Sequence, residues 1–131
     1  EFGYEMYMHC GAIRKVLLAW QTPTFIDEYF KTIIIHDQAF PHVRPDDLRG
    51  ELKKIRQEGY AITRGEYVND AVGIGAPVFN SEGELAGSIG IIAPEIRIDT
   101  PEFLATQRDL VQFYASALSS DLGYEKHDVF Q

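Results

Sequence analysis

The sequence predicts an α+β domain in which helices flank an antiparallel sheet, and three observations support this. Two apolar runs of strand length, Ala71 to Phe79 and Leu85 to Ala93, follow one another closely. The short polar stretch Asn80 to Gly83 joins them, and its Asn, Ser and Gly residues favour a tight turn between antiparallel strands. Apolar residues at helical spacing occur both before and after this hairpin.

Two helices are predicted in the first part of the chain. One extends from about His9 to Trp20, and a short one covers Thr24 to Phe30 after Pro23. His36 to Arg44 is typical of a loop, and its two histidines and one aspartate do not predict a metal site, because metal ligands must be held in place by structure. The residues that share a helix face are Ile13, Val16, Leu17 and Trp20, and then Phe25, Tyr29 and Ile33.

The third helix has clear start and stop signals. Pro45 suits the first helical position because its missing N–H needs no acceptor there, and the helix dipole favours Asp46 and Asp47 beside it. Gly59 suits the left-handed position that follows a helix. The apolar stripe expected to be buried consists of Leu48, Leu52 and Ile55.

A third strand is predicted from Tyr60 to Tyr67, and the hairpin that follows it is rich in small residues. Glycine weakens a strand and is retained where something must come close to the backbone. Two explanations stay open, namely a packed helix and a bound small molecule. The small residues are Gly73, Gly75, Ala76, Ala86, Gly87, Ser88 and Gly90.

The last helix is predicted from Pro101 to Leu122, with Thr100 as its N-cap and Gly123 after its end. Its apolar stripe is interpreted as core, with a seam against a partner helix as the alternative. Three strands are few for this much helix, so part of the sheet is expected upstream or from another chain. The stripe comprises Leu104, Leu110, Val111, Tyr114, Leu118 and Leu122.

The composition of the sequence excludes several classes of protein. With 131 residues and 45% hydrophobic content, the chain predicts a single domain with one core. A net charge of -8 argues against direct nucleic-acid binding, which needs a basic surface. Cys10 is the one cysteine, so a disulfide framework is excluded and the cytoplasm is expected. The sequence shows neither an apolar run of membrane-spanning length nor a signal peptide.

No pattern of catalytic residues is found. His9 and Cys10 are adjacent, and adjacent helix residues do not face each other. Glu66 and Asp70 are expected to be solvated loop carboxylates. The sequence has no phosphate-binding loop, no HExxH and no CxxC. A non-enzyme without cofactor or metal is therefore predicted.

Several motifs, in order, resemble the effector-binding domain of IclR-type bacterial transcriptional regulators. The central signature is represented by Gly59-Tyr60-Ala61, Glu66, Ala76-Pro77-Val78, Asn80 to Gly83 and Ala93-Pro94. The stretch from His9 to Ala19 is similar to the family's first helix, and Leu118 to Tyr124 is similar to its closing helix and Leu-Gly-Tyr tail. The resemblance covers nearly the whole chain.

The resemblance implies a GAF-like fold and a single, partial sensing domain over residues 1–131. It implies a winged helix-turn-helix upstream, through which alone DNA would be bound, and a homodimer or homotetramer. A small organic acid or an aromatic metabolite would bind the domain and control DNA binding. A dimerisation module without ligand and a GAF-like enzyme are the alternatives.

The resemblance also implies six ligand-binding residues. Backbone amides of the first helix turn would bind a carboxylate, since they are unpaired donors at the positive end of the helix. Four further positions on the sheet differ from members that bind very small keto acids, which have Asp, Cys and two Ser there. Loss of those side chains predicts a larger, partly apolar ligand. The six residues are Ala12, Ile13, Thr63, Gly73, Gly90 and Ile92.

Overall fold

The computed structural model describes residues 7–34, 43–66, 69–98 and 100–125. These residues form an antiparallel sheet with helices on both faces, so the predicted α+β class is confirmed. The elements are α1 (Ala12–Ala19), α2 (Pro23–Tyr29), α3 (Pro45–Glu58), β1 (Ala61–Arg64), β2 (Ala71–Phe79), β3 (Leu85–Pro94) and α4 (Pro101–Asp121). A short π-helical turn follows α2, and a short 3-10 turn follows β3.

The sheet has the strand order β1-β2-β3, and both pairs are antiparallel. The predicted hairpin turn forms as expected, because Oδ1 of Asn80 accepts hydrogen bonds from the amides of Glu82 and Glu84 at 2.9 and 3.0 Å. The first strand is shorter than predicted and ends at Arg64, since Gly65 turns the chain with a φ of 67°. The predicted end of that strand at Tyr67 lies outside the described residues.

Capping residues set most helix ends. Thr100 accepts a hydrogen bond from the amide of Phe103 at 3.1 Å, as predicted for an N-cap, and Gly59 ends α3 with a φ of 81°. Helix α1 begins at Ala12, later than predicted. The preceding residue, Gly11, has a φ of 95°, which is incompatible with a right-handed helix. Of the predicted loop from His36 to Arg44, residues 36–42 lie outside the described residues.

Helices α1 and α4 cover opposite faces of the sheet. Alternate residues of a strand point to opposite faces, and on β2 the valines and isoleucine face α4 while the glycines face α1. Helix α3 packs against α1. Its predicted stripe of Leu48, Leu52 and Ile55 is buried as expected. In the second helical region the predicted face is correct for Tyr29 and Ile33, which pack against the core, and wrong for Phe25, which is exposed. The chain continues there into a π-helical turn, in which Phe30 and Ile34 are buried.

The predicted stripe of α4 is wrong at most of its positions, although Val111 is buried and Leu104 packs against the core. The residues of α4 that are buried are Val111, Ala115 and Ser119, and their small size lets the helix lie close to β2. The hydroxyl of Ser119 accepts a hydrogen bond from the amide of Phe79 at 2.9 Å. The bulkier residues lie on the neighbouring flank and remain exposed; they include Leu110, Tyr114, Leu118 and Leu122.

The packed-helix explanation is correct for two of the sheet glycines. A Cβ at Gly75 would lie 3.0 Å from the carbonyl oxygen of Ala12 and from Cα of Ile13, so the backbone of α1 fills this space. A Cβ at Gly90 would lie 2.8 Å from Cγ1 of Ile13 and would collide with the carbonyl oxygen of Ile74. These two positions have no side chain because α1 and β2 come close to them.

Candidate functional site

A cavity of about 310 Å³ lies beside this contact, where the start of α1 faces the sheet. Its size is at the lower end of the range for small-molecule sites. Most of its wall is apolar, and polar groups are confined to the start of α1, Thr63 and Glu66. The lining residues are Gly11, Ala12, Ile13, Arg14, Leu17, Thr63, Glu66, Ala71, Gly73 and Ile92.

The structure brings most of the predicted ligand-binding residues together around this cavity. Ala12, Ile13, Thr63, Gly73 and Ile92 all line it, although they come from α1 and all three strands. Gly90 does not line it, because the side chain of Ile13 lies over that glycine. Gly90 thus lies beside the cavity and not in its wall, and ligand binding by the six residues stays a prediction.

The floor of the cavity is formed by Thr63 and Gly73, which are paired across β1 and β2. Thr63 is 5% exposed, and its Oγ1 lies 3.1 Å from the position that a Cβ of Gly73 would occupy. The same Cβ would lie 3.4 Å from Cβ of Ala12. Any side chain at position 73 would thus enter the space between the sheet and the helix start.

The helix start supplies hydrogen-bond donors to this space. The first amides of a helix have no intrahelical acceptor and lie at the positive end of its dipole. The amide of Gly11 donates to Oε1 of Glu66 at 3.2 Å, whereas the next two amides belong to Ala12 and Ile13, which line the cavity. The geometry therefore suits an anionic or hydrogen-bond-accepting group at these two residues.

A buried lysine, Lys15, connects the elements around the site through ion pairs. Lys15 is 4% exposed, and its Nζ lies 2.9 and 2.8 Å from the two carboxylate oxygens of Glu51 and 2.7 Å from Oε2 of Glu66. This ion cluster joins α1, α3 and the connection after β1. Glu66 is part-exposed, as predicted, with 32% of its side chain accessible to solvent, but the sequence did not predict that it pairs with Lys15 and Gly11. Asp70, which has a φ of 61°, is exposed.

The sequence alone contains no signal for this cluster, since Lys15 is separated from Glu51 and Glu66 by 36 and 51 residues. A lysine next to Val16 and Leu18 gives only a weak hint that its position is buried. The structure also places Arg14 in the wall of the cavity.

In the part of the chain that the structure describes, the remaining titratable groups do not form a catalytic arrangement. Burial, together with the charge of Glu66, raises the pKa of the half-buried Cys10 thiol, which disfavours the thiolate. His9 Nδ1 lies 2.8 Å from the hydroxyl of Tyr29, and burial raises the pKa of that phenol to about 12. Among the described residues there is no group of three side chains that could hold a metal ion. Within the same part of the chain, no helix is long and apolar enough to cross a membrane.

Comparison with known protein families assigns most of the chain to a family. The family profile described as "Bacterial transcriptional regulator IclR C-terminal" matches residues 1–120. Among curated relatives, an uncharacterised HTH-type transcriptional regulator of Escherichia coli, RhmR, is 31% identical over 99 residues, which cover 74% of this chain and 38% of the relative. KipR of Bacillus subtilis, an HTH-type transcriptional regulator, is 30% identical over 123 residues, covering 93% of this chain and 49% of KipR.

Solved structures show the same fold. The Thermotoga maritima IclR superposes with a TM-score of 0.78 at 26% identity, over 95% of this chain and 50% of that protein. The Agobacterium tumefaciens repressor BlcR gives a TM-score of 0.80 at 24% identity, over 96% and 50% of the two chains. The C-terminal domain of E. coli KdgR gives 0.77 at 23% identity, over 93% and 74%. The chain spans about half the length, or less, of RhmR, KipR and the Thermotoga maritima IclR. The predicted GAF-like fold is confirmed.

Proposed function

The chain belongs to the family of IclR bacterial transcriptional regulators, as a C-terminal domain, and we propose that it senses a small molecule and mediates oligomerisation. The single observation that carries the sensing proposal is the cavity between the start of α1 and the sheet. Binding there would control DNA binding by a separate winged helix-turn-helix, which we expect upstream from the family resemblance. The proposed setting is a cytoplasmic homodimer or homotetramer.

The anchor for the ligand is the start of α1. A carboxylate that accepts hydrogen bonds from the amides of Ala12 and Ile13 would gain two donors and the favourable end of the helix dipole. The positive charge of Arg14 in the same wall adds to this preference. Glu66 already accepts a hydrogen bond from the preceding amide, that of Gly11. A ligand carboxylate and Glu66 would therefore use different donors.

The rest of the cavity suits an apolar or aromatic body. Ile13, Leu17 and Ile92 supply aliphatic wall, and Gly73 leaves the floor without a side chain. The hydroxyl of Thr63 gives one polar contact at the floor. A two- or three-carbon acid would leave most of a cavity of about 310 Å³ unfilled. The proposed effector is therefore a small organic acid with an apolar part, such as a benzoate-like or branched acid.

Calorimetric titration with benzoate, pyruvate and glyoxylate tests the size and polarity of the ligand. Benzoate should bind more tightly than the two small acids, and tighter binding of either small acid would reject this ligand class. Gly73→Val should weaken benzoate binding at least roughly 10-fold, because its side chain enters the cavity. Gly87→Val is the matched control, since a Cβ at Gly87 meets nothing within 4 Å.

A module that only oligomerises is the second candidate. The observation that favours it is the close packing of α1 on Gly75 and Gly90, which accounts for part of the small-residue pattern without a ligand. A thermal-shift screen against a broad set of metabolites separates the two, since no stabilising compound should be found for such a module. For the enzyme alternative, turnover dependent on Cys10 or Glu66 would be required.

A further inference from the structure

We propose that Glu66 determines the specificity of the cavity, and that the ligand it selects is a 2-hydroxy acid, which carries a hydroxyl group on the carbon next to its carboxylate. This inference rests on the proposed function, because it takes the ligand carboxylate to be bound by the amides of Ala12 and Ile13. It adds the group that the ligand must carry beside that carboxylate. Glu66 lines the cavity, and 32% of its side chain is exposed.

The first observation is that Lys15 cannot neutralise both of its carboxylate partners. An ammonium group has three N–H donors. Nζ of Lys15 lies 2.9 and 2.8 Å from the two carboxylate oxygens of Glu51 and 2.7 Å from Oε2 of Glu66, so these contacts use all of its donors. One positive charge thus faces two negative charges. Cys10 lies within reach of the surplus, since burial, and next the charge of Glu66, raise the pKa of its thiol although nearby cations act in the opposite direction.

The second observation is where the surplus negative charge lies. Of the two glutamates, Glu66 lines the cavity and Glu51 does not. Oε1 of Glu66, the oxygen that Lys15 does not contact, accepts a long hydrogen bond of 3.2 Å from the amide of Gly11. Each oxygen of an ionised carboxylate can accept two hydrogen bonds, so Oε1 has the capacity for a second donor. The wall of the cavity therefore contains a charged hydrogen-bond acceptor.

The third observation is the short distance between this acceptor and the proposed anchor. Gly11, whose amide donates to Glu66, and Ala12, whose amide would bind the ligand, are adjacent residues with Cα atoms about 3.8 Å apart. A ligand carboxylate at the start of α1 would therefore lie roughly 4 Å from the carboxylate of Glu66. Two carboxylates at that distance repel each other. A ligand that places its own hydrogen-bond donor between them removes this conflict.

A hydroxyl group next to the carboxylate is the donor that fits best. It can donate to Oε1 of Glu66 while the carboxylate stays on the amides of α1, and hydrogen bonds to a charged acceptor are the stronger kind. An ammonium group at the same place would need several acceptors and would cost more to desolvate in a mostly apolar cavity. The positive charge of Arg14 in the same wall disfavours it further. A hydroxy acid is therefore preferred to an amino acid.

Calorimetric titration at neutral pH with three acids of one carbon skeleton tests the proposal. Phenylacetate has no donor on the carbon next to its carboxylate, mandelate has a hydroxyl group there, and phenylglycine has an ammonium group. The better enantiomer of mandelate should bind at least roughly 10-fold more tightly than phenylacetate, because it adds a hydrogen bond to a charged group. Phenylglycine should bind more weakly than mandelate.

Two matched variants test whether Glu66 causes the preference. Glu66→Gln keeps the shape of the side chain and removes its charge, so phenylacetate should bind more tightly and the preference for mandelate should fall below about 3-fold. Glu51→Gln removes the other carboxylate bound to Lys15, but position 51 does not line the cavity, so the preference should stay as in the wild type. A residue that only supports the fold would change the affinities for both acids by the same factor.

Failure of this inference and failure of the sensing function give different results. If benzoate and the three acids all fail to bind, both are overturned. If mandelate binds no more tightly than phenylacetate, or less tightly than phenylglycine, the hydroxy-acid inference alone is overturned. A preference for mandelate that survives Glu66→Gln overturns the role of Glu66. If that variant does not fold, Glu66→Asp, which withdraws the carboxylate by one methylene group, should lower the preference in its place.

Discussion

Replacement of Lys15 by methionine should be among the most destabilising single substitutions in the domain. Methionine keeps the length and apolar character of the side chain but removes the charge that Glu51 and Glu66 share. The lysine makes three contacts of 2.7 to 2.9 Å with their carboxylates and is itself 4% exposed. Without it, two carboxylates from α3 and the connection after β1 face each other with no counter-charge.

The magnitude follows from burial. Loss of one partner from a buried ion pair costs about 3–5 kcal/mol. The side chains of Glu51 and Glu66 are 37% and 32% exposed, so water can solvate them in part and the lower end of that range applies. We expect a loss of about 3 kcal/mol in the free energy of unfolding and a fall of roughly 10 °C in Tm.

Urea denaturation followed by circular dichroism measures this change. Lys54→Met is the matched control, because Lys54 is 73% exposed and lies 3.8 Å from Glu58 in a surface pair that should contribute less than about 0.5 kcal/mol. Adding Glu66→Gln to Lys15→Met should recover about 1 kcal/mol, since it removes one of the two unpaired charges. If Lys15→Met costs no more than Lys54→Met, the cluster does not hold these elements together.

Three further predictions concern single residues. Gly90→Ala should lower the free energy of unfolding by at least about 2 kcal/mol, because the new Cβ collides with the main chain of β2, whereas Gly87→Ala, in open space, should change it by less than about 1 kcal/mol in urea titrations. Burial raises the pKa of Tyr29 to about 12, from an unfolded value near 10. The contribution of Tyr29 to the free energy of unfolding should therefore be complete below pH 10 and lost between pH 10 and pH 12. Tyr29→Phe should abolish that loss in urea titrations across this pH range. Cys10, whose pKa is raised by burial and then by the charge of Glu66, should react with iodoacetamide more slowly in the folded chain than in urea, and equal rates would contradict its burial.

Most of the fold could be predicted from the sequence because its signals are local. Caps, turn residues and strand-length apolar runs act within a few residues, so β2 (Ala71–Phe79) was predicted with its observed bounds and α3 with its observed stripe. The predicted face of α4 failed for a physical reason. Apolarity ranks Leu118 above Ser119, but close approach to β2 requires a small residue, and that requirement comes from the sheet.

The candidate site could be predicted only in part, because its parts are distant in sequence. The family resemblance assigned residues to the site without their contacts, and five of the six then line one cavity. The ion cluster of Lys15 could not be predicted, because nothing local distinguishes a buried lysine with two distant partners from a solvated one. The sequence could not show that the side chain of Ile13 lies over Gly90.

The glycines of the sheet connect the packing of the domain with its candidate site. The lack of a side chain at Gly75 lets the first turn of α1 touch β2, with Cα of Ile13 only 3.0 Å from where a Cβ would be. That contact fixes the height of the helix start above the sheet, and the amide nitrogen of Ala12 then lies 3.7 Å from the position of a Cβ at Gly73. A larger residue at position 75 would lift α1 and separate that amide from the floor. A packed helix and a ligand cavity are therefore not competing explanations for the small residues, because the packing at Gly75 positions the donors that face the space at Gly73.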